Sequence, residues 1–429
     1  MSQDLKKLLG EVIEMHRAEL CKMADLIYDF AEELRRIENR PKTLQEAIVS
    51  GVHQRKFYVF QYNGCLCVRL SVLTDYLQNE GFTVERGIAL DTAFRATWDN
   101  CRASVDDEGK NTAPVLGILV EYDALEDIGH ACGHHMQGPA GIGAAIAIKD
   151  VMKDYPFKLV IYGTPAEETL GGKIIMLDAG YMKELDLALM SHGSPNTSVD
   201  EKCMALENFV VTFHGVKSHA AISPDEGRSA LDAALLSFHA IEMLREHVKD
   251  DTRMHYTIRN AGGPPNVVPD LTVAEYTLRS YSTSYLNTVV ERFYNILKGA
   301  ALMTDTTYDI QRDLPFKSKI VCHSVNDLLM KNAAYEKAPS IAAPRKKTGS
   351  TDFGNVLYEI PGSCIRIAFT KPDAQPHSQE YLEAGKTDKA HDAICYAAKI
   401  MADTFCDVIT TPGLLTQIKE EFYAAKQKE

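Results

Sequence analysis

The sequence predicts an α/β protein in which a main domain with a mainly parallel sheet is interrupted by a second, inserted domain. Apolar strand-like runs alternate with helical segments up to about residue 192, which is the pattern of a mainly parallel sheet. The same pattern resumes after residue 323. Between these parts, residues 206–313 follow the order β-α-β-β-α-β, the ferredoxin-like arrangement. We therefore assign 1–205 and 314–429 to the main domain and 206–313 to the inserted domain.

Length and composition exclude several kinds of partner. A chain of 429 residues exceeds what one hydrophobic core usually serves. The net charge of −13 argues against nucleic acid and anionic membranes as partners. No run approaches the roughly 18 apolar residues of a membrane span, and the first residues lack the apolar core of a signal peptide. The 10 cysteines are scattered singly, which suits a reducing compartment. We expect a cytoplasmic protein.

The main domain opens with helices and then turns to strands. Apolar residues recur at intervals of three and four over residues 1–33, which predicts an amphipathic helix. A second helix is expected to end at Gly81, and a Gly- and Ala-rich helix, Gly138–Lys149, can pack closely on a sheet. The predicted strands of this part are Thr83–Ile88, Ala93–Trp98, Val115–Val120, Lys158–Tyr162 and Leu185–Met190.

The inserted domain and the part after it complete the pattern. In the insertion we predict strand 207–214, helix 227–248, strand 253–259, strand 271–280, helix 284–302 and strand 306–312. After it we predict helix 324–334, strand 363–369 and a long helix from about 384 to 409.

Three clusters of metal-binding side chains each follow a predicted strand. They are Glu121–Asp123 with Cys132 and His134, then Glu167 with Glu168, and then His192. Because the carboxyl ends of strands in an open α/β sheet face one crevice, we expect the three clusters to converge there. Thiolate, imidazole and carboxylate together form a divalent-metal site, with zinc as the first candidate. The main domain is therefore predicted to be a metallohydrolase catalytic domain.

Each cluster alone has an ordinary explanation, and their combination is what favours a metal site. One cysteine near one histidine is common, paired acids are usually solvated, and a single histidine at a strand end is unremarkable. Other enzyme classes fit poorly. The segment Gly138–Gly143 lacks the third glycine of a dinucleotide fingerprint. The chain also has no Gly-x-Ser-x-Gly elbow and no zinc-deaminase motif pair.

Four motifs resemble one known superfamily. They are His-Ala-Cys-Gly-His, Gly-Thr-Pro-Ala-Glu-Glu, Phe-His-Gly-x-x-Ser-His-Ala-Ala-x-Ser-Pro and Gly-Ser-Thr-Asp-Phe-Gly-Asn-Val. They are similar to motifs of the dinuclear-metal aminoacylase–carboxypeptidase superfamily, in particular its amidohydrolase branch. That branch includes aminobenzoyl-glutamate hydrolases and dipeptidases that cleave β-alanyl-lysine-type peptides. The resemblance covers roughly residues 70–410.

The resemblance implies a role for each motif residue of the main domain. Two divalent metal ions, Zn or Mn, would be bound by Cys132, His134, Glu168, His192 and His377, with Cys132 near both ions. Glu167 would be the general base for a metal-activated water. Asp123 would orient a metal-bound imidazole, although capping of a strand end explains this residue equally well. The implied activity is hydrolysis of an amide or peptide bond in a small dipeptide or N-acyl amino acid.

The resemblance also makes the inserted domain a lid and dimerisation domain. His219 would reach the neighbouring active site across a homodimer interface and stabilise the oxyanion. Substrate-binding roles are implied for Asn266, Arg279 and the turn formed by Gly349, Ser350 and Thr351. From the sequence pattern alone, Arg279 is equally a surface strand residue.

Two departures from the superfamily pattern leave an alternative open. His135 stands where relatives have Asn or Asp, which would alter the surroundings of the ligands or add another one. Residues 35–67 replace a short turn of the relatives that lies beside the metals, and we expect this segment to be dispensable or inhibitory. The alternative function is a binding or regulatory homologue that has lost turnover through this insertion.

Overall fold

The computed structural model describes residues 2–38, 68–101 and 113–429. The described chain forms two compact units. The first unit contains Met1–Glu201, Ile320–Lys347 and Val356–Lys428, and the second contains Lys202–Lys319, Thr348–Asn355 and Glu429.

Within the described ranges, the sheet of the first unit has seven strands in the order β1-β2-β4-β3-β5-β11-β6. The four central strands, β4, β3, β5 and β11, are parallel, and the strands at both edges pair antiparallel. The prediction of a mainly parallel sheet thus holds for its centre. The strands are β1 (Thr83–Arg86), β2 (Phe94–Asp99), β3 (Val115–Val120), β4 (Lys158–Gly163), β5 (Leu187–Ser194), β6 (Ser198–Val199) and β11 (Gly362–Ala368).

The central strands have the sequence character that parallel strands require. β3 reads Val-Leu-Gly-Ile-Leu-Val and β4 reads Lys-Leu-Val-Ile-Tyr-Gly, and all but the first residue of each strand are buried. Such continuous apolar runs are expected because helices cover parallel sheets on both faces.

Helices α1, α3 and α10 pack on one another and share a hydrophobic core with the sheet. α3 approaches closely because it is rich in Gly and Ala: a Cβ on Gly141 would lie 2.5 Å from Cγ1 of Val120. The helices outside the second unit are α1 (Ser2–Glu38), α2 (68–79), α3 (Gln137–Val151), α4 (Gly172–Asp178), α7 (His323–Tyr335), α8 (Phe353–Glu359, which begins in the second unit), α9 (Gln379–Ala384), α10 (Asp388–Thr410) and α11 (Leu414–Lys426).

The second unit has the predicted order β-α-β-β-α-β, and its described residues form a four-stranded antiparallel sheet, β10-β7-β9-β8. Burial alternates residue by residue along β7 and β9, so one face of the sheet packs in the core with the two helices. The elements are β7 (Ala205–His214), α5 (Ala230–Leu244), β8 (Arg253–Asn260), β9 (Leu271–Ser280), α6 (Thr283–Thr304) and β10 (Thr307–Arg312).

Two details differ from the sequence prediction. β5 continues to Ser194, because its parallel pairing with β11 extends that far, and His192 therefore lies within the strand rather than after it. α1 continues to Glu38, four residues into the predicted insertion 35–67. The rest of that insertion, 39–67, lies outside the described residues. No helix in the described ranges has the length and apolar character that crossing a membrane requires.

Candidate metal centre

The candidate ligands lie at the carboxyl edge of the parallel strands. Glu167 and Glu168 follow β4, His192 lies near the end of β5, and His377 follows β11. β3 lies between β4 and β5, so the chain leaves β3 in one direction and returns past it after β4. A point where the connections reverse in this way opens a crevice at the strand ends.

The Cys-Gly-His turn brings a thiol and two imidazoles together. Gly133 has φ 84°, a left-handed conformation that glycine adopts without strain. A Cβ at this position would also lie 3.0 Å from Cε of Met136. The turn places Sγ of Cys132 3.6 Å from Nε2 of His192. The ring of His134 lies perpendicular to that of His192, with 5.4 Å between the ring centres.

Two groups of ligand atoms share Cys132. Cys132, His134 and His192 form one group, and Cys132, Glu168 and His377 form the other; within each group the ligand atoms lie within 4.8 Å of one another. Glu167 joins His134 and Glu168 in a third group of the same kind. The arrangement suits two neighbouring cations that share one thiolate, with a carboxylate beside them.

His377 is held in place by the turn that carries Cys132. Its backbone N–H donates to the carbonyl oxygen of Ala131 at 3.0 Å, and its Nε2 lies 3.4 Å from Oε1 of Glu168. His377 has φ 63°, and Ala166, just before the carboxylate pair, also has φ 63°. Left-handed residues other than glycine are uncommon and concentrate at functional sites.

Asp123 links two of the candidate ligands. Nδ1 of His134 lies 3.2 Å from the backbone oxygen of Asp123 and 3.3 Å from its Oδ1. The other carboxylate oxygen accepts the backbone N–H of Glu168 at 3.0 Å. Because only acceptors lie near Nδ1, this nitrogen carries the proton and Nε2 is left to bind a cation.

Unpartnered atoms show that these residues fit a metal ion. Among the described residues, the buried Nε2 of His134 and Oε1 of Glu168 have no hydrogen-bond partner, and the two atoms lie 4.0 Å apart. Buried polar atoms without a partner are costly and rare. A cation between them would satisfy both, and thiolate, imidazole and carboxylate suit Zn²⁺ and also accept Mn²⁺.

The electrostatics of the centre favour a thiolate. Burial alone raises the pKa of Cys132, but the imidazoles of His134 and His192 outweigh it and lower the pKa from 9.0 to about 5. Hydrogen bonds to Cys132 and Glu168 raise the pKa of His377 to about 10. At neutral pH the thiol is thus ready to bind a cation, and binding to His377 would release a proton.

His135 does not add a ligand to the centre. It is buried and belongs to none of the ligand groups that the described residues form. Its Nε2 lies 2.8 Å from the carbonyl oxygen of Gly385, and its ring meets Tyr28 edge-on with 5.1 Å between the ring centres. The departure from the superfamily pattern is thus absorbed in packing between α1 and the segment before α10.

Sequence reasoning assigned no role to Glu121. The structure places its Oε2 3.2 Å from Nε2 of His134, with Lys173 and Gln137 as its other partners. A carboxylate directly after a buried strand was the available signal. Its partners lie 52 and 16 residues away in the chain, so local spacing did not reveal them.

The predicted substrate residues of the second unit form two separate groups. In the first, Arg279 donates to Oγ of Ser350 at 3.1 Å, and the neighbouring carbonyl oxygen of Gly349 accepts the N–H of Met204 at 2.9 Å. Thr351 continues this turn and accepts the N–H of Phe353 at 3.3 Å.

The second group contains His219 and Asn266. The N–H of Ala220 donates to the backbone oxygen of Asn266 at 3.0 Å, and His219 pairs with Val267. This group adjoins the first residue of β9, whereas Arg279 lies near the end of that strand. A strand rises about 3.4 Å per residue, so Leu271 and Arg279 are about 27 Å apart. The two groups therefore lie at opposite ends of the sheet of the second unit.

Comparisons with known proteins agree with the fold and the candidate centre. Residues 206–304 match the family model of the peptidase dimerisation domain. The human Xaa-Arg dipeptidase is 34% identical over 376 residues, covering 83% of this chain and 85% of that protein. One of the two chains of the p-aminobenzoyl-glutamate hydrolase of Escherichia coli is 27% identical and covers 98% of this chain and 95% of that protein.

A solved structure shares the fold. The dinuclear metal-binding peptidase of the M20 family from Bacillus subtilis aligns with a TM-score of 0.63 and 17% identity, covering 92% of this chain and 99% of the other. The α/β fold with its inserted sheet domain and clustered ligands defines a metal-dependent hydrolase of amide or peptide bonds. The chain belongs to the M20 family of metallopeptidases.

The shared position of Cys132 leads to a prediction about metal content. Cys132→Ala should lose both ions, because the thiolate belongs to both ligand groups. His192→Ala and His377→Ala should each retain about one ion, because each removes a ligand from one group only. Elemental analysis of the purified variants measures this directly. The partly exposed His214, which pairs with Asp309 in the second unit, provides the control variant His214→Ala. Wild-type metal content in Cys132→Ala would show that the centre lies elsewhere.

Proposed function

We propose that this protein is a dinuclear-metal dipeptidase that cleaves small dipeptides, with Xaa-Arg and Xaa-Lys peptides as the first substrates to test. The observation that carries the proposal is the pair of ligand groups that share Cys132 beside the carboxylate of Glu167. Human and mouse relatives that are 34% and 33% identical are Xaa-Arg dipeptidases, which supports the substrate class. The net charge of −13 also favours a substrate with a cationic side chain.

The catalytic roles follow from where the side chains lie. Two divalent cations, Zn²⁺ or Mn²⁺, would polarise the scissile carbonyl and lower the pKa of the attacking water. Glu167 is half-buried beside His134 and Glu168. It is proposed to take a proton from the water and deliver it to the leaving amine nitrogen. Asp123 holds His134 and Glu168 in place through its two carboxylate oxygens.

Arg279 is proposed to bind the carboxylate of the substrate. Its side chain is half-buried, and the structure gives its Nη1 a partner in Ser350. Nε of Arg279 has no hydrogen-bond partner among the described residues. A guanidinium can bind a carboxylate through two parallel hydrogen bonds, and a dipeptide offers such a carboxylate at its C-terminus.

The separation of the two groups in the second unit supports a homodimer. Each residue of an extended peptide spans at most about 3.6 Å, so a dipeptide is about 7 Å long. His219 and Arg279 of one chain cannot both contact such a molecule across about 27 Å of sheet. We propose that His219 and Asn266 serve the site of a second subunit, where they stabilise the oxyanion.

Reduced Cys132 is required for this chemistry, and we therefore place the enzyme in the cytoplasm, where thiols stay reduced. The other cysteines of the described ranges are also free thiols.

A substrate panel tests the proposed function. It contains β-alanyl-lysine, Xaa-Arg dipeptides, p-aminobenzoyl-glutamate and N-acetyl amino acids, each assayed with added Mn²⁺ or Zn²⁺. We expect hydrolysis of the dipeptides with a basic C-terminal residue. Bound metal without hydrolysis of any member would favour the alternative of a binding homologue that has lost turnover.

Glu167→Gln should keep its metal and lose turnover. The amide cannot accept the proton of the attacking water, so kcat should fall by at least about 10²-fold. Steady-state kinetics on the best substrate of the panel, together with elemental analysis, measure both effects. Glu383→Gln is a matched control, since Glu383 is exposed and accepts a hydrogen bond from Gln379. Wild-type kcat in Glu167→Gln would remove Glu167 from its proposed role.

Mixing two inactive variants tests the dimer. Glu167→Gln and His219→Ala subunits should each be inactive as homodimers. A mixed dimer contains one site in which both residues are intact, so exchange of subunits should restore part of the activity. Native mass spectrometry verifies the exchange. If mixed dimers form and activity stays absent, His219 acts within its own chain or not at all.

A further inference from the structure

Glu121 and Lys173 form an ion pair that is fully enclosed in the first unit. Lys173 is 0% exposed and Glu121 is 1% exposed. Nζ of Lys173 lies 2.5 Å from Oε1 of Glu121. Removing two charges from water is costly, and hydrophobic residues of the same size often stabilise a fold equally well. The enclosed pair therefore calls for an explanation beyond stability.

The local structure fixes the carboxylate from three sides. Glu121 directly follows β3, and Lys173 lies in the first turn of α4. α4 begins so close to the preceding turn that a Cβ on Gly172 would clash with the carbonyl oxygen of Pro165. Gln137, at the start of α3, donates to Oε2 of Glu121 at 2.6 Å and accepts its backbone N–H at 3.1 Å.

The fixed carboxylate faces a candidate metal ligand. Oε2 of Glu121 lies 3.2 Å from Nε2 of His134. Asp123 occupies the other nitrogen, Nδ1, and leaves Nε2 as the nitrogen with the free electron pair. An electron pair beside a carboxylate oxygen is unfavourable unless a positive charge lies at Nε2. Glu121 therefore favours a cation at this nitrogen.

We propose that Glu121 is a positioning residue that raises the affinity of the centre for its divalent cation by placing negative charge beside Nε2 of His134. Lys173 and Gln137 hold this carboxylate in position. Glu121 is absent from the group of Cys132, His134 and His192, so it acts through His134 rather than as one of the three ligands. The inference rests on the proposed metal centre and adds to it a residue that controls metal affinity.

Titration of the metal-free protein with Mn²⁺ tests this inference. Glu121→Gln keeps the size and hydrogen-bonding capacity of the side chain and removes its charge. We expect affinity about 10–100-fold below wild type, the usual effect of losing a partner of a metal-binding histidine. The visible spectrum of the Co²⁺-substituted variant should also shift, because His134 is no longer held by a charged neighbour.

A matched control separates this effect from the loss of any ion pair. Glu184 is a half-buried carboxylate of the same unit that accepts from Lys158 at 2.5 Å and from Tyr162 at 3.0 Å. Glu184→Gln should bind Mn²⁺ as wild type does. If Glu121 were only structural, Glu121→Gln would lower the thermal unfolding temperature of the metal-free protein and leave its Mn²⁺ affinity equal to that of wild type. That result would overturn the inference.

A second variant covers a failure of Glu121→Gln to fold. That substitution leaves the ammonium of Lys173 buried without a counter-charge, which is strongly destabilising. The double variant Glu121→Gln/Lys173→Met removes both charges and should still bind Mn²⁺ more weakly. Unchanged affinity in the double variant would overturn the inference. Wild-type protein that binds no Mn²⁺, Zn²⁺ or Co²⁺ would overturn the metal centre itself, which is a different result.

Discussion

The parallel pairing of β4, β3, β5 and β11 is the constraint on which the candidate centre depends. Parallel strands end at the same edge, so residues that lie as far apart in the chain as Glu121 and His377 meet there. The register matters as much as the direction. Val120 pairs with Gly163 and Arg366 pairs with His192. A slip of one residue would turn every side chain of a strand to the opposite face, and the imidazole of His192 would then point away from Cys132.

Much of the fold could be predicted because its strands are strongly patterned. β3 and β9 have the bounds that the sequence indicated, one as a continuous apolar run and the other as strict alternation. The end of β5 was placed too early because it is set by β11, a strand more than 160 residues later. Local sequence carries no trace of such a pairing. The short helix α4 was missed because seven residues show too little periodicity.

The candidate centre shows the same division between local and distant information. Motifs identified Cys132, His134, Glu168 and His192, because each stands beside a recognisable strand or turn. The place of Glu121 in the centre depends on Lys173, which reaches it only because α4 packs tightly on the preceding turn. The separation of His219 from Arg279 likewise follows from the length of β9 rather than from either motif.

The distribution of the ligands along the chain has a consequence for the order in which the centre can assemble during synthesis. Cys132, His134 and His192 all precede the inserted unit, so one complete ligand group leaves the ribosome early. His377 follows about 185 residues later, which at about 5–20 residues per second corresponds to roughly 10–40 s. During that interval the nascent chain presents one three-ligand group without the second. Any cation captured then is chosen by thiolate and imidazole alone, before a carboxylate–imidazole pair exists to compete for it.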